Sequence, residues 1–113
     1  MTGEWIEEAS EGYEAFLESV YEVVRSIPPG RVMSFGSVAA AVGSRAPRAI
    51  GRIMAHSGDA LPWWRVVYAD GHILPAYYAE ALQHYEAEGT PLGRGPDGPR
   101  LDLRRARWSP GED

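Results

Sequence analysis

The stretch Ile27-Pro-Pro-Gly-Arg-Val-Met-Ser-Phe-Gly-Ser-Val-Ala-Ala-Ala-Val-Gly-Ser-Arg-Ala-Pro-Arg-Ala-Ile-Gly-Arg-Ile-Met-Ala55 holds two short helices and the turn between them. Pro28 and Pro29 lack a backbone donor and restrict the residue before them, so any helix arriving from the N-terminal side stops here. Ser34 has an N-cap side chain, and the pattern after it predicts a helix over 35–42 with Val38, Ala39 and Val42 facing inward. Gly43 suits a helix stop. Pro47 suits a first helical position, and a helix over 47–55 turns Ile50, Ile53 and Met54 to the core. Two helices joined by a tight, glycine-containing turn read as a helix-turn-helix.

Upstream, residues 10–27 predict an amphipathic helix capped by Ser10. Tyr13, Phe16, Leu17, Val20, Val23, Val24 and Ile27 recur three and four apart, and Glu11, Glu14, Glu18 and Glu22 fall mostly on the other face. Downstream, Leu61–Tyr68 is apolar and β-prone, Ala69-Asp70-Gly71-His72 is a turn signal, and Ile73-Leu74 resumes an extended run. These predict a wing beside the helix-turn-helix. A further helix is expected over 76–88, with Tyr78, Leu82 and Tyr85 inward. The Gly/Pro-rich stretch 91–99 reads as a loop, and 101–108 as a weakly alternating closing segment. The expected fold class is mainly α with a small β wing, a winged helix-turn-helix-like single domain over residues 1–113. The length suits one domain, ~100–150 residues being usual.

The composition narrows the chemistry. Among 113 residues there is no cysteine, which removes disulfides, thiolate metal ligands and cysteine nucleophiles. His56, His72 and His84 are far apart in sequence, so neither metal nor cofactor is expected. No apolar run approaches the ~18 residues of a membrane span, and Met1–Trp5 lacks a signal-peptide pattern, so a cytoplasmic monomer with no membrane partner is expected. The net charge of −5 is unevenly spread. Residues 1–29 carry seven Glu and one Arg, whereas residues 30–65 carry five Arg and one Asp, a local balance of +4. Such an island can bind an anion despite the acidic total.

Three motifs follow one another: Ile27-Pro-Pro-Gly-Arg-Val-Met-Ser-Phe-Gly-Ser-Val-Ala39, Arg48-Ala-Ile-Gly-Arg52, and Pro62-Trp-Trp-Arg-Val-Val67. Together they resemble the DNA-binding domain of O6-alkylguanine-DNA alkyltransferases, over roughly residues 13–108. In those enzymes a Pro-Cys-His-Arg-Val motif carries the alkyl-accepting cysteine. Trp63 stands at the cysteine position, which is similar to the alkyltransferase-like proteins and their Pro-Trp-His-Arg motif. Trp64 stands where both groups usually have His, and Phe35 where Tyr is usual.

The resemblance implies roles. Arg48 takes the place of an intercalating finger; a guanidinium is planar, stacks on bases and can bond the partner of an extruded nucleotide. Ala49 and Gly51 would let the helix approach the minor groove, with Arg45 and Arg52 on phosphates. Ser34 would be among the DNA contacts, and Phe35 after it would crowd the phosphate beside the target. Phe35, Pro62, Trp63, Trp64, Arg65 and Tyr68 would form the lesion pocket, Arg65 mainly as an anchor. On its own chemistry, Trp63 offers a flat wall on which a base can stack for about 1–3 kcal/mol. Read without the resemblance, Trp63 and Phe35 are core aromatics, Arg48 is a solvated helix residue and Gly51 serves tight helix packing. Glu88, before Gly89, matches the acid that orients the missing His; here it reads as a helix-end acid or a partner for an arginine.

The expected function is a non-enzymatic sensor that binds O6-alkylguanine in double-stranded DNA, flips the nucleotide against Trp63 and flags it for nucleotide excision repair proteins. The alternatives are a lesion-processing enzyme such as a glycosylase, with Glu88 as its acid, and a winged helix-turn-helix transcription regulator.

Overall fold

A computed structural model describes residues 2–73 and 75–112, with backbone only over residues 2–11. In chain order it contains α1 (Thr2–Ser26), β1 (Met33–Ser34), α2 (Phe35–Ala41), α3 (Pro47–Ser57), β2 (Val66–Val67), α4 (Tyr78–Glu88), β3 (Leu92–Gly95), β4 (Gly98–Leu101) and α5 (Leu103–Ala106). The class is mainly α with small β elements, as the periodicities predict.

The helix-turn-helix forms where its residues dictate. Ser34 is extended, at φ −81 and ψ 160, and its side chain accepts from the Ser37 N–H at 3.0 Å, so α2 has its cap. Pro47 opens α3. Ile50, Ile53 and Met54 from α3 meet Val38 and Ala39 from α2 and Val20, Val24 and Ile27 from α1, with Leu61, Val66 and Trp108 completing this core. A second cluster, Val32, Val67, Ala81, Tyr85, Leu101 and Ala106, lies beside it. Trp63 packs against both. Each fully buried large apolar side chain contributes about 1.5–3 kcal/mol.

The wing differs from the expected one. The described residues 61–73 do not make a hairpin. Trp63–Arg65 winds into a 3-10 turn, closed by the Arg65 N–H on the Pro62 carbonyl at 3.0 Å. The short β2 then pairs in parallel with β1, Met33 opposite Val66 and Ser34 opposite Val67. Both valines are buried, which is the signature of a strand covered on two faces rather than an exposed wing. The turn at Tyr68–Gly71 is as expected: the Gly71 N–H reaches the Tyr68 carbonyl at 2.8 Å, with Gly71 at φ +81.

The hairpin is β3–β4, which begins inside the stretch 91–99 read as a loop and runs on to Leu101. Glycines and prolines hid the strands, because these residues are depleted in sheets. The link Pro96-Asp97 lies between paired Gly95 and Gly98. After it, 101–108 is not a strand: α5 intervenes, and Val32 is bonded to the Ala106 carbonyl and the Trp108 N–H, each at 2.9 Å.

Two helix boundaries also move. α1 begins at Thr2, so Ser10 is an interior residue rather than a cap, and Tyr13 is exposed rather than inward. Residues 75–77 form a 3-10 turn before α4, whose buried residues are Ala81 and Tyr85, with Tyr78 and Leu82 only half-buried.

Candidate nucleic-acid interface

An open cleft of about 920 Å3 runs beside α3. Pro47, Arg48, Gly51, Arg52, Met54 and Ala55 of α3 line it, together with Phe35 and Gly36 at the start of α2. Facing them are Trp63, Trp64, Val66, Val67, Tyr68, His72 and Ile73, with Tyr77, Glu80, Ala81 and Tyr85 from the α4 side. Arg48 and Arg52 are exposed and four apart, so they share one helix face. Among the described residues no ion pair engages Arg45, Arg48 or Arg52, which leaves all three guanidiniums available for an external anion. Gly51 answers a question the sequence left open. Beyond its chain neighbours and the adjoining backbone of α3, no described atom lies within 4 Å of where its Cβ would stand, so it opens the cleft face of α3 instead of serving tight packing.

The opposite wall is aromatic. Phe35 meets Tyr68 edge to face at 5.2 Å between centroids, and Tyr68 stacks on His72 at 4.4 Å. The His72 ring lies 2.7 Å from Asp70 Oδ1. The backbone N–H of His72 and then its ring hold the Asp70 carboxyl below the usual carboxylate range. Trp63 is half-buried and touches three rings: Trp64 at 5.7 Å, Tyr77 at 5.7 Å and His84 at 5.8 Å. Trp64 and His84 stack on each other at 3.5 Å, with an interplanar angle of 3°.

Beneath this wall lies a polar clamp centred on Glu88. Its Oε1 accepts from Arg65 Nε at 3.1 Å and from the Gly30 N–H at 3.2 Å. Its Oε2 accepts from Arg65 Nη2 at 2.5 Å and from Trp64 Nε1 at 3.0 Å. Arg65 Nη1 also bonds the Ile27 carbonyl at 3.0 Å, and Tyr85 donates its hydroxyl to the Trp64 carbonyl at 2.6 Å. Gly30 adopts φ +89, and a Cβ there would approach the Glu88 carbonyl oxygen to 3.1 Å. Burial works to raise the Glu88 pKa, but the bonds from Arg65, Gly30 and Trp64, with the Arg65 charge, outweigh it and hold the carboxyl below its ordinary value. Burial, and then the nearby Glu88 charge, push the Tyr85 hydroxyl well above its ordinary value.

The structure therefore brings Phe35, Arg48, Gly51, Arg52, Trp63, Trp64 and Tyr68 to one cleft. Pro62 and Arg65 do not line it: Pro62 closes the 3-10 turn behind the wall, and Arg65 is turned away into the clamp. Ser34 is occupied as a cap, Ala49 is half-buried off the lining, and Arg45 lies exposed in the link before α3. Glu88 is indeed a partner for an arginine, and Trp64 has taken the hydrogen-bond position facing it. Sequence reasoning passed over Tyr77 and His84. Their signal was the helical spacing of Tyr77, Ala81, His84, Tyr85 and Glu88, which puts them along one side of α4.

A cleft bordered by the second helix of a helix-turn-helix, with arginines on that helix free of ion pairs among the described residues and aromatic rings in its lining, is the surface of a DNA-binding domain. The family model described as the 6-O-methylguanine DNA methyltransferase DNA binding domain matches residues 15–89. A DNA base-flipping protein of Escherichia coli (strain K12) is 36% identical over 111 residues, covering 91% of this chain and 81% of the relative. S. pombe Atl1, solved in complex with damaged DNA containing O6-carboxymethylguanine, is similar in structure with a TM-score of 0.74 at 30% identity, covering 86% of this chain and 97% of that one. An O6-methylguanine methyltransferase of Mycobacterium tuberculosis has a TM-score of 0.55 at 27% identity, covering 65% of this chain and 47% of that longer one. The chain belongs to the 6-O-methylguanine DNA methyltransferase DNA-binding family, as a cysteine-less, alkyltransferase-like member. Among the described residues no helix is long and apolar enough to cross a membrane, and no cluster of three or more His, Asp or Glu could hold a metal ion.

Proposed function

We propose that this protein is a non-enzymatic sensor of O6-alkylguanine in duplex DNA. The observation that carries the reading is the position of Trp63: it lines the same cleft as Arg48, and the resemblance puts an alkyl-accepting cysteine at its position. Alkyl transfer from an O6 oxygen needs a soft, ionisable nucleophile such as a thiolate. An indole has no comparable lone pair, and the chain has no cysteine. α3 enters the minor groove with its Gly51 face, and Arg48 fills the gap left by the extruded nucleotide. Phe35 crowds the backbone beside it as a steric wedge, without the hydroxyl that a tyrosine would bring to a phosphate. Arg52 and Arg45 bind phosphates. The base stacks on Trp63, and the apolar wall buries the alkyl group.

Selection works through binding. Unstacking a base takes a few kcal/mol, least for a damaged one, and burial of the alkyl group offsets it. In this reading the held complex is a flag for nucleotide excision repair, a role suggested by the family resemblance. With Glu88 as its acid, a glycosylase would need that carboxylate free to activate water, yet it accepts four hydrogen bonds within the clamp. The test is a titration of duplexes with and without one O6-methylguanine at matched salt. Tighter binding of the lesion duplex, with no gain in protein mass after incubation, is the expected result. Equal affinities would sink the proposal.

A further inference from the structure

Trp63 can act as a stacking wall only if its ring is held in place, because a ring that must be ordered on binding gives back part of the contact energy as lost rotamer freedom. The neighbouring rings show how it is held. Trp64 and His84 form a parallel pair 3.5 Å apart, and Trp63 stands nearly perpendicular to both, at 85° and 82°. Its centroid is almost equidistant from the two, 5.7 and 5.8 Å. Were Trp63 set on the outer face of either ring, one distance would exceed the other by a full ring spacing. The near-equality therefore seats Trp63 against the paired edges of the stack. Edge-to-face contacts of this kind are among the favoured aromatic geometries.

The stack is itself immobilised from one end. The Trp64 indole N–H is bonded to Glu88, its carbonyl accepts from Tyr85, and the Arg65 guanidinium lies over its ring at 5.6 Å. His84 has no such anchor. Among the described residues its ring takes part in no hydrogen bond or ion pair, and its aromatic partners are the two tryptophans. His84 is half-buried on α4, yet it has no place in the clamp and no place in the cleft lining.

We propose that His84 is a positioning residue for lesion recognition: stacked on Trp64, it completes the double edge that fixes the Trp63 ring for stacking on an extruded base. Glu88 orients Trp64, and the Trp64–His84 pair orients Trp63. In this chain the departure from His to Trp at position 64 is thus a gain. A five-membered ring there would offer a smaller surface for His84 and a shorter edge to Trp63. The flat π surface of His84 does the work, so an aromatic replacement should preserve it.

This inference rests on the sensor reading, and the experiment separates the two. His84→Ala and His84→Phe are compared with the wild-type chain on a duplex carrying one O6-methylguanine and on its unmodified twin, alongside near-ultraviolet circular dichroism as a report on tryptophan packing. If the wild-type chain does not prefer the lesion duplex, the sensor reading fails and takes this inference with it. Given that preference, His84→Ala should lower affinity for the lesion duplex about tenfold, equivalent to ~1.4 kcal/mol. Affinity for the unmodified duplex should hold, because Arg48, Arg52 and Arg45 are untouched. The near-ultraviolet tryptophan signal should change, and His84→Phe should recover both lesion affinity and signal. An equal loss on both duplexes would mark a general structural defect and overturn the proposal. Unchanged lesion affinity in His84→Ala, or no recovery in a folded His84→Phe, would overturn it too.

Discussion

Trp64 donates its indole N–H to Glu88 Oε2 at 3.0 Å, directly behind the cleft wall formed by Trp63. The bond joins the loop carrying both tryptophans to the C-terminal turn of α4. Arg65 on the same carboxylate, and on the Ile27 carbonyl, extends the tie to the end of α1. The side chains of Arg65 and Glu88 are only 15% and 12% exposed, so solvent screens the pair little. Removing one partner of a buried pair leaves the other charge uncompensated. Glu88→Ala should therefore destabilise the fold by about 2–4 kcal/mol. Urea unfolding measures this directly. A loss of under ~0.5 kcal/mol, the scale of a surface change, would mean that the clamp holds little together.

The same carboxylate predicts an acid limb in stability. Its folded pKa is depressed, so the unfolded chain binds the proton more readily at low pH. The Glu88 contribution is then fully present above the ordinary glutamate pKa of ~4.3 and fades as pH falls through the lower folded value. Tyr85 has the opposite sign, since its folded pKa is raised. Its contribution is complete below the ordinary tyrosine pKa of ~10 and is lost as pH climbs toward the folded value. Melting temperatures from pH 2 to 11 should show both limbs. Glu88→Gln should flatten the acid one and Tyr85→Phe the alkaline one; unchanged limbs in these variants would assign them to other groups.

Arg48 is exposed and unpaired among the described residues, so its removal should spare the fold. Arg48→Ala should bind a lesion duplex at least about tenfold more weakly, a loss of ~1.4 kcal/mol or more. Its urea midpoint should stay within ~0.5 kcal/mol of the parent. Fluorescence anisotropy at fixed salt gives the first quantity. Unaltered affinity would remove Arg48 from the finger role.

Trp63→Cys puts a thiol in the cleft with Trp64, not a histidine, next in the chain, and with the His84 ring packed flat on that indole. Trp64 offers an N–H donor and no proton acceptor, and Glu88 is saturated by donors. The single variant should therefore show no mass increase after incubation with alkylated DNA. Rapid, complete transfer would prove a histidine at position 64 dispensable in this scaffold.

Ser34 caps α2, and its side chain is committed to Ser37. Ser34→Ala should lower stability by about 1 kcal/mol, the usual worth of such a cap. Its effect on DNA affinity should be small compared with that of Arg48→Ala. A larger effect on binding than on unfolding would restore Ser34 as a direct contact.

Much of this protein was written in short-range pattern. The Pro-Pro stop, the Ser34 cap, Pro47 and the inward faces of α2 and α3 are local, because caps and helix periodicity act within a turn or two of the chain. The absence of cysteine is likewise read from the sequence alone, and it rules out transfer to a cysteine in the cleft. Tertiary structure decided the rest. Whether Val66-Val67 pairs within a hairpin or with Met33-Ser34 depends on which partner buries both its faces, and no local pattern encodes that. Glycines and prolines masked the β3–β4 hairpin, since its pairing comes from backbone bonds to which side-chain propensity is a poor guide. Glu88, Trp64, Arg65, Gly30 and His84 are scattered over more than fifty positions. Their joint role exists only where α4, the turn after α1 and the tryptophan loop meet, because hydrogen bonds and ring contacts depend on distances of a few ångströms in space.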